Sequence, residues 1–381
     1  MLDIRKILQR SWHILWNYRT LWIFGFILAL AVGGNNIGNN SGYKFNDRQT
    51  NQQPGVQTPG GWQGLQGNTF TEKMNDAFRQ AGAALSNLQQ QHPVEFRMGI
   101  AVAITLFVVI LLFSIVFAVL RYVAETASIR MVNEYEQTGV KVGFKQGWKY
   151  GWSRSSWRLF LINFIVHLPV LVLFVVLGLI AWWIFSAILG GVESIIISSL
   201  IAGIGLAFLF IFVTVILMVL LYVLRDLAWR MSVLEGTGVT ESLSGVTALV
   251  KRQWKNVGLM WLVMIGIRIV WAIALFILIL PLLIVSILTA VGGLLVAIVP
   301  TLVTAGIASL LSAPAYWPWA FALVIGLPFF FIVTFSPIFL VHGWGQIYQS
   351  SVWTLTYREL KALETVTPTT TEGPKPEAVQ K

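Results

Sequence analysis

Long apolar segments alternate with short amphipathic ones along this chain. The segment LQRSWHILWNYRTLW, from residue 8, places apolar residues on one helical stripe and basic residues elsewhere, and an apolar run follows it. A similar segment, KQGWKYGWSRSSWRLF, begins at residue 145, and a weaker one runs from Thr240 to Val257. Apolar residues at intervals of three and four predict amphipathic helices. The pattern therefore predicts three copies of a unit that consists of an amphipathic helix and a helical hairpin.

The apolar runs predict about six membrane spans, because most of them reach the ~20 residues that a helix needs to cross a bilayer. The first span is short and continues from its amphipathic helix. We therefore expect an all-α fold, a polytopic membrane helical bundle of three repeated hairpins with amphipathic helices at the cytoplasmic interface. The predicted spans cover approximately residues 20–35, 97–120, 158–188, 195–224, 257–291 and 319–345.

Two segments do not fit the repeat. Residues 33–96 are rich in Gly, Asn and Gln and are predicted to be an external insert. Within it, Thr69 and Glu72 form a capping box that predicts one amphipathic helix over 70–91. Residues 294–318 have no counterpart in the second hairpin. We expect a re-entrant or surface-lying segment there, after a turn at Gly292-Gly293, rather than a seventh crossing.

These boundaries divide the chain into six regions. They are residues 1–32 with the first interfacial helix and span, 33–96 with the insert, 97–137 with the second span and its connector, 138–237 with the second hairpin, 238–364 with the third hairpin, and 365–381 with a disordered tail.

The distribution of charge predicts the orientation of the chain. Only 11% of the residues are charged, against roughly 25% in soluble domains. Of the 26 Lys and Arg residues, 20 lie at 1–19, 121–158, 225–256 and 346–381, segments that flank the hairpins on one side. The positive-inside rule then predicts a multi-pass protein of the cell membrane with both termini cytoplasmic. It also favours anionic lipid headgroups as partners of the basic residues, and not nucleic acid.

Tryptophan residues concentrate in the amphipathic segments. Since indole rings favour the membrane–water interface, we expect the amphipathic helices at 2–18, 141–157 and 240–256 to lie in the plane of the inner leaflet. The predicted membrane-interface anchors are Trp12, Trp16, Trp148, Trp152, Trp157 and Trp254.

Residues that could carry catalysis are scarce. The chain has no Cys, which excludes disulfides, thiolate metal sites and Cys nucleophiles. The phosphate-binding loop motif, the H-E-x-x-H motif and the G-x-S-x-G motif are all missing, and the four His residues are far apart. We therefore predict no catalytic residue, no cofactor and no metal, and a protein that is not an enzyme.

Three polar residues in the spans are candidates for an intramembrane site. Arg268 lies near the centre of the fifth span, where a charge costs ~2.5–3.5 kcal/mol even on the milder insertion scales, so it needs an acceptor. It either binds a substrate, an ion or a lipid phosphate, or serves as a structural pin. Asn163 and His167 share one helical face before Pro169 and form either a proton or substrate site or a hydrogen-bonded packing pair. Arg225 and Asp226, at the start of a connector, are interpreted as an interfacial ion pair.

The repeated unit resembles the membrane domain of bacterial glycerophosphoryl diester phosphodiesterases and its stand-alone relatives of unknown function. The resemblance is carried by the segment at 145–160 and its N-terminal copy, by the Thr-Gly-Val connector turns, and by SSVWTLTYREL near the end. It implies a six-span bacterial domain with cytoplasmic termini. The soluble catalytic barrel of that family has no counterpart here, so no catalytic residue carries over.

Two functional hypotheses remain open. The first is non-enzymatic membrane organisation or scaffolding, which a dry, packed bundle would favour. The alternative is a transporter or channel-like subunit with an anion or lipid-headgroup site around Arg268, which a polar cavity reaching this residue would favour.

Overall fold

The protein is an all-α, multi-pass membrane bundle. The computed structural model describes residues 2–36, 93–189, 193–310 and 317–366, with a few single positions and short runs between 76 and 90. All regular secondary structure in these residues is helical. Five of the described helices are long and apolar enough to cross a membrane, or six if the bent pair at the N-terminus counts as one span. The predicted fold class is therefore confirmed.

The helices are numbered here along the described part of the chain. They are α1 (Ile4–Asn17), α2 (Thr20–Asn36), α3 (Pro93–Thr138), α4 (Phe144–Gly151), α5 (Arg154–Leu189), α6 (Glu193–Leu234), α7 (Val239–Arg252), α8 (Trp254–Leu310), α9 (Trp317–Thr334) and α10 (Ser336–Val366).

The chain divides into two compact units. Unit 1 comprises Met1–Gly33, Phe117–Ile284 and Pro337–Lys381, and unit 2 comprises Gly34–Val116 and Val285–Ser336. Much of the core of unit 1 lies in the segments that join the predicted hairpins, where fully buried side chains of α3, α6 and α10 include Ala127, Met131, Leu227, Val352 and Trp353. The same core also includes residues of α1 and of the adjoining parts of the predicted spans, among them Ile14, Leu21, Phe24, Leu159, Ile162 and Met260.

The spans themselves expose apolar side chains on their outer faces. Leu171 and Val172 on α5 and Phe208 and Ile211 on α6 are all exposed. In a bilayer these faces meet hydrocarbon, so their exposure requires no further protein layer.

A 99° bend joins α1 to α2. The bend is fixed by Tyr18, whose buried hydroxyl donates to the carbonyl oxygen of Val142 at 2.8 Å and accepts from its amide nitrogen at 2.6 Å. Trp22 also donates its indole N–H to the carbonyl oxygen of Leu15 at 2.7 Å across the bend. The first amphipathic helix is thus held to the extended segment before α4.

The second and third amphipathic helices are shorter than predicted. The helix predicted at 141–157 is interrupted after Gly151, and α5 begins at Arg154. The helix predicted at 240–256 ends at Arg252, and Trp254 already belongs to α8. At the first break, Gly151 lies directly against the backbone carbonyl of Val123, where a side chain would clash. Local periodicity carries no sign of such a contact.

The turn predicted at Gly292-Gly293 is wrong, because both residues lie inside α8, which continues to Leu310. Glycine weakens a helix by about 1 kcal/mol but does not end it. In unit 2, a methyl group on Gly293 would lie 2.6 Å from Oγ1 of Thr334 on α9. The glycine therefore permits close helix packing. Of the re-entrant or surface-lying segment predicted at 294–318, residues 294–310 continue this helix and 317–318 begin α9, while 311–316 lie outside the described residues.

Other predicted features lie wholly or partly outside the described residues. Of the helix predicted at 70–91, the described positions are helical. Most of the external insert and residues 367–381 of the predicted tail are not described.

Two of the predicted repeat units can be compared directly, and they share one packing contact but differ in the backbone of their connector turns. A methyl group on Gly147 of α4 would lie 2.5 Å from Sδ of Met131, and one on Gly245 of α7 would lie 2.5 Å from Cε of Met231. The two Thr-Gly-Val turns differ, however. Left-handed backbone occurs at Gly139 in the first connector and at Gly236, two residues before the glycine of the motif, in the second. The threefold repeat as a whole stays a prediction.

Candidate functional site

Arg268 meets neutral polar side chains at the surface of unit 1. Its Nε donates to Oε1 of Gln349 on α10 at 3.2 Å, and an NH₂ group donates to the hydroxyl of Tyr222 on α6. The guanidinium carbon also lies 4.3 Å from the centre of the Tyr222 ring, a distance typical of a cation–π interaction. The side chain nevertheless remains exposed. A residue with a purely structural role inside the bundle would instead be buried between the helices.

A second guanidinium contacts the same tyrosine. The guanidinium carbon of Arg225 lies 4.9 Å from the centre of the Tyr222 ring and 4.8 Å from that of Trp229. Arg225 also pairs with Asp226 at 3.0 Å, and its side chain is only 14% exposed. The predicted ion pair is present. Its participation in a site with Arg268 was not predicted, because 43 positions separate the two arginines along the chain.

A cleft of about 220 Å³ opens between α5 and α6 in unit 1. Apolar residues form most of its walls and a cationic residue lies at one end. Its lining comprises Val166, His167, Val170, Met218, Leu221, Tyr222 and Arg225. Tyr222 is therefore shared between this cleft and Arg268. Of the three predicted site residues, His167 thus lines the same cleft as Tyr222, and Arg268 contacts that tyrosine.

The third predicted residue, Asn163, does not line the cleft. His167 does contact it, but through the backbone, because Nδ1 of His167 donates to the carbonyl oxygen of Asn163 at 2.6 Å. This bond fixes the ring of His167 against its own helix at the cleft wall. The packing interpretation of the pair agrees with this contact better than a shared side-chain site does.

Beside the cleft, Arg230 forms a buried polar network with Glu125 of α3 and Ser350 of α10. Arg230 is only 2% exposed, and one of its NH₂ groups lies 3.1 Å from Oε1 of Glu125 and 3.3 Å from Oγ of Ser350. Its other NH₂ group donates to the carbonyl oxygen of Asp226 at 2.8 Å. Oγ of Ser350 in turn donates to Glu125 at 2.8 Å. The network therefore joins α3 to α6 and α10, the helices that carry Tyr222, Arg225 and Gln349.

The region carries an excess of positive charge. Arg121 lies close enough to Arg225 for the two guanidinium groups to repel each other. The two nearby carboxylates, Asp226 and Glu125, pair with Arg225 and Arg230. Among the described residues, neither Arg121 nor Arg268 forms an ion pair. Such a local field favours an anion over a cation or a neutral ligand. No three His, Asp or Glu side chains in the described ranges come together as a potential metal site.

The predicted tryptophan anchors differ in exposure. Trp152, Trp157 and Trp254 are 63 to 65% exposed. Trp148 is half-buried and stacks on Trp152 with ring centres 6.2 Å apart. Trp12 and Trp16 are partly covered by an aromatic cluster with α10, in which Trp16 lies 5.5 Å from Trp344 and Trp12 lies 5.9 Å from Tyr348 between ring centres.

A model of DUF7544, a family of unknown function, matches residues 8–351. The chain belongs to this family. No curated protein and no solved structure matches it. No link to the membrane domains of glycerophosphoryl diester phosphodiesterases follows from this match, so that resemblance stays a prediction. The matched region contains every residue of the cleft as well as Arg268, Gln349 and Ser350.

Proposed function

We propose that this DUF7544 protein is a non-enzymatic protein of the bacterial inner membrane that organises lipids of the cytoplasmic leaflet. The observation that carries the proposal is the exposure of indole rings beside basic residues where α5 and α8 begin. Trp152 and Trp157 flank Arg154, and Trp254 precedes Lys255, whose Nζ lies 5.7 Å from the centre of the indole ring.

These neighbouring groups suit the two layers of a membrane interface. An indole ring favours headgroup depth, while Lys and Arg extend toward phosphates. Each basic side chain near an anionic surface contributes about 1 kcal/mol to membrane attraction. With basic segments before each predicted hairpin, one protein can gather several anionic lipids around itself.

The proposal can be tested by extracting the protein from the membrane in polymer nanodiscs and measuring the lipids that accompany it. We expect enrichment of anionic lipid over the bulk membrane, and less enrichment for a Trp152→Ser/Trp157→Ser/Trp254→Ser variant. Trp182→Ser is the matched control, because Trp182 is equally exposed but lies in an apolar part of α5. A wild-type disc with the bulk composition would contradict lipid organisation.

The orientation is testable separately. We propose that both termini are cytoplasmic and that the insert at 33–96 is external, because basic residues flank the hairpins on one side. The chain has no native Cys, so an Asn51→Cys variant should react with an impermeant maleimide in intact cells. A Thr370→Cys variant should react only after permeabilisation. Reaction of Thr370→Cys in intact cells would refute this orientation.

The second candidate function, an anion transporter or channel-like subunit, is favoured by one observation. Arg268 is exposed and contacts Tyr222 at the cleft that Arg225 also lines, as a transient anion site would require. Anion flux into vesicles that contain the protein, lost in Arg268→Gln, would support this function over lipid organisation. We expect no flux above that of protein-free vesicles.

A further inference from the structure

We infer that the cleft between α5 and α6 binds one anionic phospholipid, with its phosphate between Arg225 and Arg268 and one acyl chain along the apolar walls. This inference rests on the proposed function and specifies one lipid and one binding site for it. No residue of unit 2 is needed, since all the side chains involved lie in unit 1.

The walls of the cleft fit an acyl chain. Val166 and Val170 on α5 face Met218 and Leu221 on α6 across the cleft. The adjoining outer surface is also apolar, with exposed Leu171 and Leu220. A chain that enters from the bilayer therefore passes from hydrocarbon into a groove that is apolar apart from His167 and the Tyr222 and Arg225 side chains. The ring of His167 already donates a hydrogen bond to the carbonyl oxygen of Asn163, which lowers the cost of covering it.

The cationic end fits a phosphate. Arg225 and Arg268 lie against one tyrosine ring, and no carboxylate pairs with Arg268 among the described residues. Arg225 already pairs with Asp226, so the two guanidinium groups together carry one positive charge more than this carboxylate balances. An anion that contacts both guanidinium groups would supply the missing negative charge. Arginine is suited to the role because its planar fork can bind two phosphate oxygens at once.

The hydroxyl of Tyr222 and the amide of Gln349 position the second arginine. Both accept hydrogen bonds from Arg268 and hold its guanidinium on the cleft side of α8. A free inorganic anion could use the same arginines, but it would gain nothing from the apolar walls. The combination of an apolar groove with a cationic end therefore identifies a lipid as the occupant.

The inference can be tested by native mass spectrometry of the full chain in detergent, titrated with dioleoyl phosphatidylglycerol or with dioleoyl phosphatidylcholine. We expect one phosphatidylglycerol to bind more tightly than any phosphatidylcholine. Arg268→Gln should weaken this binding about five-fold, the equivalent of about 1 kcal/mol for one arginine at an anionic phosphate. Val170→Phe should weaken it similarly, because the larger side chain fills the cleft without changing the charge.

Arg252→Gln is the matched control, because Arg252 is 70% exposed on α7 and does not line the cleft. It should leave the affinity unchanged. Tryptophan fluorescence tests whether each variant is folded. If Arg268→Gln does not fold, the result for Val170→Phe decides the test.

Three outcomes would overturn the inference. They are equal binding of the two lipids, unchanged affinity in Val170→Phe, and full displacement of phosphatidylglycerol by inorganic phosphate. The last would identify a free-anion site. Because nanodisc enrichment depends on the interfacial tryptophans, it can persist when the cleft variants have no effect, and then only the cleft assignment fails. If the nanodiscs had the lipid composition of the bulk membrane but the cleft still bound phosphatidylglycerol selectively, only the proposed lipid organisation would be refuted.

Discussion

Replacing Arg230 with methionine should be among the most destabilising single changes in unit 1. Its guanidinium contacts three helices through Glu125, Ser350 and the backbone of Asp226. Methionine fills a similar volume without charge. The side chain of Glu125 is only 11% exposed. In Arg230→Met its carboxylate therefore keeps Ser350 as a partner but loses its ion pair.

The expected magnitude follows from the unpaired charge. Breaking a buried ion pair from one side costs about 3–5 kcal/mol, because the remaining charge is still desolvated. An exposed ion pair contributes at most about 1 kcal/mol. Arg252 provides such a reference, since its side chain is 70% exposed and lies 3.5 Å from Glu364. The two arginine substitutions should thus differ in the free energy of unfolding by at least about 2 kcal/mol.

The assay is denaturant-induced unfolding in detergent, followed by intrinsic fluorescence of the tryptophans. Arg252→Met serves as the control. Glu125→Gln should then be added to Arg230→Met. Because the amide carries no charge, we expect the double variant to be more stable than Arg230→Met alone. This recovery separates an unpaired charge from a simple loss of packing.

Two results would refute the reasoning. If Arg230→Met were no more destabilising than Arg252→Met, the network would not be buried as the structure describes it. If Glu125→Gln gave no recovery, the loss would come from packing around Arg230 and not from the charge of Glu125.

Two further predictions concern tight contacts. Gly151→Ala should lower the free energy of unfolding by about 1–3 kcal/mol, because the new methyl group meets the rigid backbone carbonyl of Val123. Gly258→Ala is the control, because open space surrounds Gly258, and equal effects of the two variants in denaturant titrations would contradict this prediction. Tyr18→Phe should cost about 1–3 kcal/mol, because it leaves both backbone groups of Val142 unpaired. Burial raises the pKa of Tyr18 to about 12, so its neutral form stabilises the fold below pH 10 and this contribution is lost as the pH rises through 12. The variant should therefore lose less stability than the wild type between pH 9 and pH 12, and a parallel loss in both proteins would contradict the assignment.

The sequence predicted the helices that depend on local composition. Apolar runs marked the spans, and the observed α2, α5 and α6 contain most of the residues expected for the corresponding spans. A lone arginine in an apolar span also indicated that Arg268 would need an acceptor, and Tyr222 and Gln349 lie within hydrogen-bond distance of it. Both inferences rest on the cost of placing charge in hydrocarbon, which a single sequence shows directly.

The sequence did not predict features that depend on contacts between distant segments. Gly292-Gly293 has the composition of a turn, yet Gly293 lies inside α8, where its missing side chain makes room for Thr334. Similarly, Arg225 and Arg268 come near each other only because both contact the ring of Tyr222. No periodicity within one helix encodes such a meeting. Patterns of substitution across many family members could reveal these contacts, but one sequence cannot.

The buried connectors relate the stability of unit 1 to the geometry of the candidate site. Tyr222, Arg225, Trp229 and Arg230 follow one another on α6 at intervals that keep them near one side of the helix. Arg230 fixes that side to α3 and α10 through Glu125 and Ser350. The same attachment therefore sets the position of Tyr222 and Arg225 at the cleft, about one to two turns away. The charged connector at the end of α6 is thus buried rather than solvated, and its packing holds the guanidinium groups of Arg225 and Arg268 against the ring of Tyr222.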